Sequence, residues 1–413
     1  MHKHPTSIWP GRAYSHLSNS HQPPTTFTLP APFAQIPRHP ILYPHPSPIH
    51  PLPNFLPNPP SHHPDHPRIN LYAKREDQSA PLACAGNKYR KLEYIVPDIL
   101  SPAPVHHYHE ALDSTPPPPL RGPATTLVTE GALQSNHTVQ VAALAAHLRL
   151  KALVLLNKDT GGGYRASREP ALFAHAGNAQ ILRLLGAEVD VLESEDGDAG
   201  RVLDELAGRG ERPYWIPGGA SRHVRGGLGY ARGAIEIAAQ EAEMQLGGSG
   251  RFDVVFVACG SGSTVGGLVA GFKLLEKTRR EIGRKVVGVI NSPTQRREWH
   301  EARVLAFARQ AGTMIGLAEG DVTTADVCLE DRFVGEAYGI VEGGSEDALR
   351  AMAQRDGVVL DPVYTAKVVQ GLRTWMAEDK IRQYAQQLGL NQVNVLFIHT
   401  GGQAAMAAYV DRI

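Results

Sequence analysis

Lys88 stands in the run GNKYRK (86–91), inside a basic stretch, KREDQSAPLACAGNKYRKLEY (74–94). A lysine that follows small residues can reach into a cleft as a nucleophile or Schiff-base former once its pKa is lowered there; a solvated helix start is the alternative. A second group is the turn CGSGSTVGG (259–267). Unpaired amides at a helix start bind anions, so Gly260, Ser261, Gly262, Ser263 and Thr264 could cradle a phosphate, or simply pack tightly. The spacing is not that of a GxxxxGK[ST] loop, and Val265 breaks GxGxxG. In EGALQSNHTVQ (130–140), Gln134, Ser135, Asn136 and His137 gather at a helix start, where a carboxylate could bind, or where Ser135 merely caps. Tyr338 and Tyr364 each lie beside glycine or proline, as active-site or turn tyrosines do. Cys84, Cys259 and Cys328 have no CxxC spacing, which predicts buried thiols, and no His, Cys or acid spacing predicts a metal site.

Such groups must be set at the ends of strands, and from Thr126 onward the sequence supplies them. TLVT (126–129), ALVLLN (152–157) and AEVDVL (187–192) read as strands, with helices at 135–148 and at 169–185, the latter closed by Gly186. After a helix at 226–245 come FDVVFVA (252–258), the glycine-rich turn, a helix at 268–277, and KVVGVI (285–290). NVLFIH (394–399), a turn at 400–402 and a closing helix at 403–410 end the pattern. Alternating β and α elements imply parallel strands, so the expected fold is α/β: two open, mostly parallel twisted sheets flanked by helices, with a ligand in the cleft between them. Ligands in such sheets bind beyond the carboxyl ends of the strands, where all these turns lie.

The 413 residues carry 41 basic and 41 acidic side chains, which argues against a nucleic-acid binder driven by phosphate neutralisation. No apolar run approaches the roughly 18–20 residues of a membrane-spanning helix. Three cysteines cannot form a disulfide framework, so a reducing, cytoplasmic setting is expected. Residues 1–70 hold 18 of the 32 prolines and 10 of the 19 histidines, with Asp65 as their only acid. Proline at that density removes backbone donors, so 1–67 is expected to be a mostly disordered extension. A mitochondrial transit sequence is a weaker reading, since only Arg12 and Arg38 supply arginine to the first forty residues. His62, His63 and His66 show no closed metal-ligand spacing. SPAPVHHYHEALDSTPPPPLRGP (101–123) reads as a surface loop. The expected division is 68–124 with 206–413 as a larger cofactor-binding domain, and 125–205 as a smaller α/β domain.

KRED (74–77), GNKYRKLEY (86–94), QSNH (134–137), LGAEV (185–189), YWIPGGAS (214–221), GGLGY (226–230), GSGSTVGG (260–267), YG (338–339), LDPVYT (360–365) and FIHTGG (397–402) occur in one order. Together they resemble the pyridoxal-phosphate enzymes of the 1-aminocyclopropane-1-carboxylate deaminase and D-cysteine desulfhydrase family, over roughly 68–413. The resemblance implies fold type II, similar to the tryptophan synthase β chain, with pyridoxal 5'-phosphate as cofactor, a small amino acid as substrate and a homodimer as assembly. It implies that Lys88 bonds the cofactor, that Lys91 and the 260–264 turn hold its phosphate, and that Asn136 touches its ring. Ser135, Asn136 and His137 match the substrate-carboxylate and proton-handling site, and Tyr338 and Tyr364 match two active-site tyrosines.

Thr365 matches the residue facing the pyridine nitrogen, where deaminases of the family carry Glu and desulfhydrases Ser or Thr. Thr400 and His137 stand where deaminases carry Leu and Gln. The resemblance thus favours D-cysteine cleavage to pyruvate, sulfide and ammonia, against a 1-aminocyclopropane-1-carboxylate deaminase or an inactive cofactor-binding regulator. Ala85, Glu130, Val139 and the 101–123 insert depart from the family pattern and bear on the identity of the substrate. PSPIHPLPNF (46–55) faintly echoes a substrate-side entry segment of the family, which implies that this last part of the head packs on the body.

Overall fold

The computed structural model describes residues 27–55, 67–108, 110–112, 117, 119–157, 170–192 and 199–411. The head before residue 27, read as disordered or as a transit sequence, and His62, His63 and His66 lie outside them.

Two sheets form, as the alternation requires. The larger contains β1 (Ile49–Pro51), β2 (Arg68–Arg75), β7 (Val254–Cys259), β8 (Lys285–Ile290), β9 (Cys328–Glu330) and β10 (Gln392–His399), in the order β1-β2-β10-β7-β8-β9. The smaller contains β3 (Thr126–Ala132), β4 (Lys151–Asn157), β5 (Glu188–Leu192) and β6 (Pro213–Ile216), in the order β5-β4-β3-β6. Every pairing is parallel except β1 with β2. In β7, Val254 and Phe256 pack into one apolar cluster while Val255 and Val257 pack into another on the opposite face. Burial of both faces is why this strand reads as an unbroken apolar run.

The helices among the described residues are α1 (Asn87–Ile99), α2 (Asn136–Leu148), α3 (Pro170–His175), α4 (Asn178–Leu184), α5 (Ala199–Gly208), α6 (Leu228–Met244), α7 (Ser263–Arg279), α8 (Arg297–Ile315), α9 (Gly343–Asp356), α10 (Thr365–Ala377) and α11 (Lys380–Gln387). Four boundaries differ from the sequence reading. The helix after β7 begins at Ser263 rather than 268, so the glycine-rich turn is one tight corner. The helix expected over 169–185 is two, α3 and α4, parted at Gly177, which adopts φ +59°. A Cβ there would stand 2.7 Å from Gln134 Oε1, so the break admits the Gln134 side chain, whose Nε2 donates to the carbonyls of Phe173 and Ala176. The closing helix is a short 3₁₀ segment, Gln403–Ala408. Finally, β6 belongs to the smaller sheet, which carries that unit past residue 205.

The expected disorder of the head is overturned for 27–45, while 46–55 packs on the body as its resemblance implied. Phe33, Leu52 and Phe55 are buried, and β1 lies at the sheet edge, where Pro51 removes no needed donor. Proline kept this arm from building structure of its own, yet the body supplies its partners. Glu93 accepts the amides of Ile41 and Leu42 at 2.9 and 3.1 Å, and Lys74 Nζ donates to the Ser47 carbonyl at 2.9 Å. Ser47 Oγ donates to Glu76 at 2.7 Å, joining a buried set in which Arg90 bridges Glu76 (2.5 Å) and Glu236 (2.8 Å).

The insert at 101–123 is likewise more than a surface loop. Asp98 accepts the amides of Val105 and His106 at 3.1 and 2.8 Å and the Tyr214 hydroxyl at 2.6 Å. His106 is fully buried and stacks on Tyr214 with ring centroids 4.2 Å apart. The insert is thus docked against β6, and the turn after β6 enters the site described next.

Candidate active site

A cavity of about 270 Å³ opens between the sheets, at the carboxyl ends of their strands. Of the residues singled out from sequence, Lys88, Lys91, Ser135, Asn136, His137, Gly260, Ser261, Gly262, Thr264, Tyr338, Tyr364 and Thr400 line it. Ser263 and Thr365 do not: both are fully buried behind the wall.

Lys88 is the second residue of α1, and its placement is set by backbone. Gly86 forms a bridge with Gly401, and the Asn87 amide donates to the Thr400 carbonyl at 3.2 Å. A Cβ on Gly86 would stand 2.6 Å from that carbonyl oxygen, so the approach requires glycine. Gln140 Oε1 accepts the Lys88 amide at 3.1 Å, and Lys88 Nζ donates to Asn87 Oδ1 at 2.9 Å. Burial strips water from the ammonium and lowers its pKa to about 8, against a smaller opposing pull from Asp361. About a tenth is then free amine at pH 7, far more than for an ordinary lysine, and that is the form that attacks a carbonyl.

Lys91 shares that face of α1 at i+3. Its Nζ donates to the Gly219 carbonyl at 3.2 Å and to Ser261 Oγ at 3.4 Å, and burial, aided by Lys88, holds its pKa well below the usual lysine range. The amides opening α7, with the Ser261 and Thr264 hydroxyls, complete an anion cradle around it.

On the facing wall Ser135 caps α2, its Oγ accepting from the amides of His137 and Thr138 at 3.2 and 3.4 Å. Asn136 Oδ1 accepts from Asn178 Nδ2 at 2.7 Å, and Asn178 Nδ2 also reaches the Gln134 carbonyl at 2.9 Å. Asn178 is a positioning residue that sequence reasoning missed. His137 is buried and neutral, its pKa lowered to about 3 by burial and then by Lys88 and Lys91. Its ring nitrogens make no formed hydrogen bond, although the Ile216 and Pro217 carbonyls lie near.

The Tyr338 and Tyr364 hydroxyls are hydrogen-bonded to each other, and Lys88 Nζ stands 5.9 Å from the Tyr364 ring centroid. Burial pushes Tyr338 up to about 12 and Tyr364 well above its ordinary value, so both are proton donors at neutral pH. The Thr365 hydroxyl does not face the cavity. It donates to Asp361 Oδ1 at 2.7 Å and accepts the Asp361 amide at 2.6 Å, while the Asp361 carboxylate also takes the amides of Val363, Tyr364 and Thr365. Its role here is to lock the start of α10 and with it Tyr364.

Sequence reasoning also passed over Asn291, Ser292, Thr294, Gln295, Trp299 and His300, which line the cavity from the segment joining β8 to α8. They too follow a strand end, the place where the fold puts chemistry.

A lysine with a depressed pKa beside an anion cradle, between two α/β sheets, defines an enzyme that bonds a phosphate-bearing carbonyl cofactor. The donor set fits pyridoxal phosphate: Lys88 for the carbonyl carbon, and Lys91, Ser261, Thr264 and the α7 amides for the phosphate.

The comparisons agree. A family model for pyridoxal-phosphate dependent enzymes matches residues 42–401, and the chain belongs to that family. It is 35% identical over 382 residues to a 1-aminocyclopropane-1-carboxylate deaminase of Burkholderia multivorans, covering 91% of this chain and 97% of that one. A counterpart from Burkholderia cenocepacia is 35% identical over 381 residues, with 91% and 97% covered. Among solved structures, an ACC deaminase homologue superposes with a TM-score of 0.66 at 28% identity, covering 92% of this chain and 96% of that one. An O-ureido-L-serine synthase shares the fold, with a TM-score of 0.52 at 15% identity over 89% and 93% of the chains. The cofactor is pyridoxal phosphate.

Proposed function

We propose that the chain catalyses α,β-elimination from a small amino acid with a leaving group on its β-carbon, D-cysteine first, giving pyruvate, sulfide and ammonia. The observation that carries this reading is the charge of the cavity wall. Among the described residues Lys88 and Lys91 line it, and no carboxylate does. The nearby acid, Asp361, is spent on the amides and hydroxyl that open α10. Bound pyridoxal phosphate supplies an electron sink for the pair left at Cα. Without an acid to hold its ring nitrogen protonated, that sink suffices for a good leaving group but not for opening a cyclopropane that has no α-hydrogen.

The chain's residues divide the remaining work. The N-terminus of α2, with Ser135 and the Asn136 amide, orients the substrate carboxylate. Lys88, released as a free amine of low pKa, takes the proton from Cα. The Tyr338–Tyr364 pair supplies a proton to the departing sulfur. Thr400 and neutral His137 shape the side-chain end of the cleft and bring no charge there.

The names of the curated relatives favour a second reading, a 1-aminocyclopropane-1-carboxylate deaminase giving 2-oxobutanoate and ammonia. Incubation with each substrate separates the two. Sulfide and pyruvate from D-cysteine are expected, and 2-oxobutanoate from the cyclopropane acid alone would overturn the choice.

A further inference from the structure

We propose that His300 and Asn291, on the segment from β8 into α8, form a further wall of the anion cradle and hydrogen-bond the cofactor phosphate. None of the motif residues lies on this segment. His300 and Asn291 are 4% and 1% exposed and both line the cavity. Among the described residues neither polar atom of the Asn291 amide has a hydrogen-bond partner, and the His300 ring meets only the Gly260 carbonyl, short of full hydrogen-bond geometry. Buried polar side chains left this way are rare, and two on one wall of a ligand cavity point to a ligand that satisfies them.

Their position says which part of the ligand. Both border Gly260, the first residue of the turn: a Cβ built there would lie 3.3 Å from Asn291 Oδ1, and the Gly260 carbonyl lies beside the His300 ring. The Asn291 main chain is fixed from behind, where Lys367 Nζ donates to its carbonyl at 3.3 Å. The charge balance also calls for them. A phosphate monoester carries about −1.5 to −2 near neutral pH, while a helix start offers about +0.5. Burial and Lys88 weaken the charge of Lys91 at the cradle, and among the described residues no arginine lines the cavity. An imidazole N–H and an amide N–H on the open side add the donors the second oxygen charge needs.

The inference rests on the cofactor and not on the substrate, so its test measures binding. Cofactor-stripped full-length protein is titrated with pyridoxal phosphate, followed by visible absorbance, and with inorganic phosphate as competitor. His300→Leu is expected to weaken both by about tenfold or more, the loss of one charge-assisted hydrogen bond, while His300→Gln stays within about threefold. Asn291→Ala is expected to weaken inorganic phosphate by a similar factor and serves if His300→Leu fails to fold. Unchanged phosphate affinity in a folded His300→Leu, or in Asn291→Ala, overturns the proposal. So does a lowered melting temperature of the stripped protein with phosphate affinity intact, since that is what a merely structural role would give.

Discussion

Helix α1 presents two faces to two different interiors. On one, Arg90 meets Glu76 and Glu236, with Lys74 against Glu236 at 2.5 Å, in a buried network whose charges are matched. On the other, Lys88 and Lys91 meet a cavity that no acid lines among the described residues. Burial acts on all of them, but the carboxylates hold Arg90 well above its ordinary pKa, while Lys88 and Lys91, lacking such partners, are held low. Basic residues one and two positions apart are therefore structural or reactive according to what faces them.

The comparison can be broken from either side. Removing the reactive member has the largest expected effect: Lys88→Ala should abolish the visible absorbance of the bound cofactor and cut turnover by at least about 10³, the scale of a lost general base. Retained absorbance would show that another residue bonds the cofactor. Glu236→Ala should instead act on stability, costing roughly 3–5 kcal/mol by leaving Arg90 and Lys74 underpaired, with the absorbance unchanged; denaturant unfolding reads the first and a spectrum the second.

Thr365→Val should cost about 1–3 kcal/mol by freeing a buried bond to Asp361, with no shift in the absorbance maximum. A shift would mean that the hydroxyl reaches the cofactor ring after all.

The last effect concerns pH. The folded pKa of Lys88 is lowered to about 8 from 10.5, so below about 8 both states bind its proton and folding bears the full penalty of burying it. Between the two values the unfolded state binds more proton, and stability rises with pH. The unfolding free energies of stripped wild type and Lys88→Met should therefore converge as pH climbs through that window.

The site was legible where function sits on local turns. Lys88, the QSNH cap, the 260–264 corner and both tyrosines lie in short runs that carry the family resemblance; by residue type alone each could equally be an ordinary helix start or turn. Asn178, Asn291 and His300 were not legible in this way: each is a polar residue whose meaning comes from partners, or missing partners, brought by the fold. Thr365 shows the converse, a residue in a motif whose hydroxyl is claimed by its own turn. The arm at 27–45 escaped because proline content reports what a segment cannot build alone and is silent about what Glu93 can hold for it.

The contact between the Asn87 amide and the Thr400 carbonyl ties the cofactor anchor to the residue at the substrate end through main-chain atoms only. Side chains at position 400 can therefore be exchanged without disturbing the seat of Lys88. The joint therefore leaves the seat of Lys88 independent of whichever side chain position 400 carries, as a hinge pin is independent of the paint on the door.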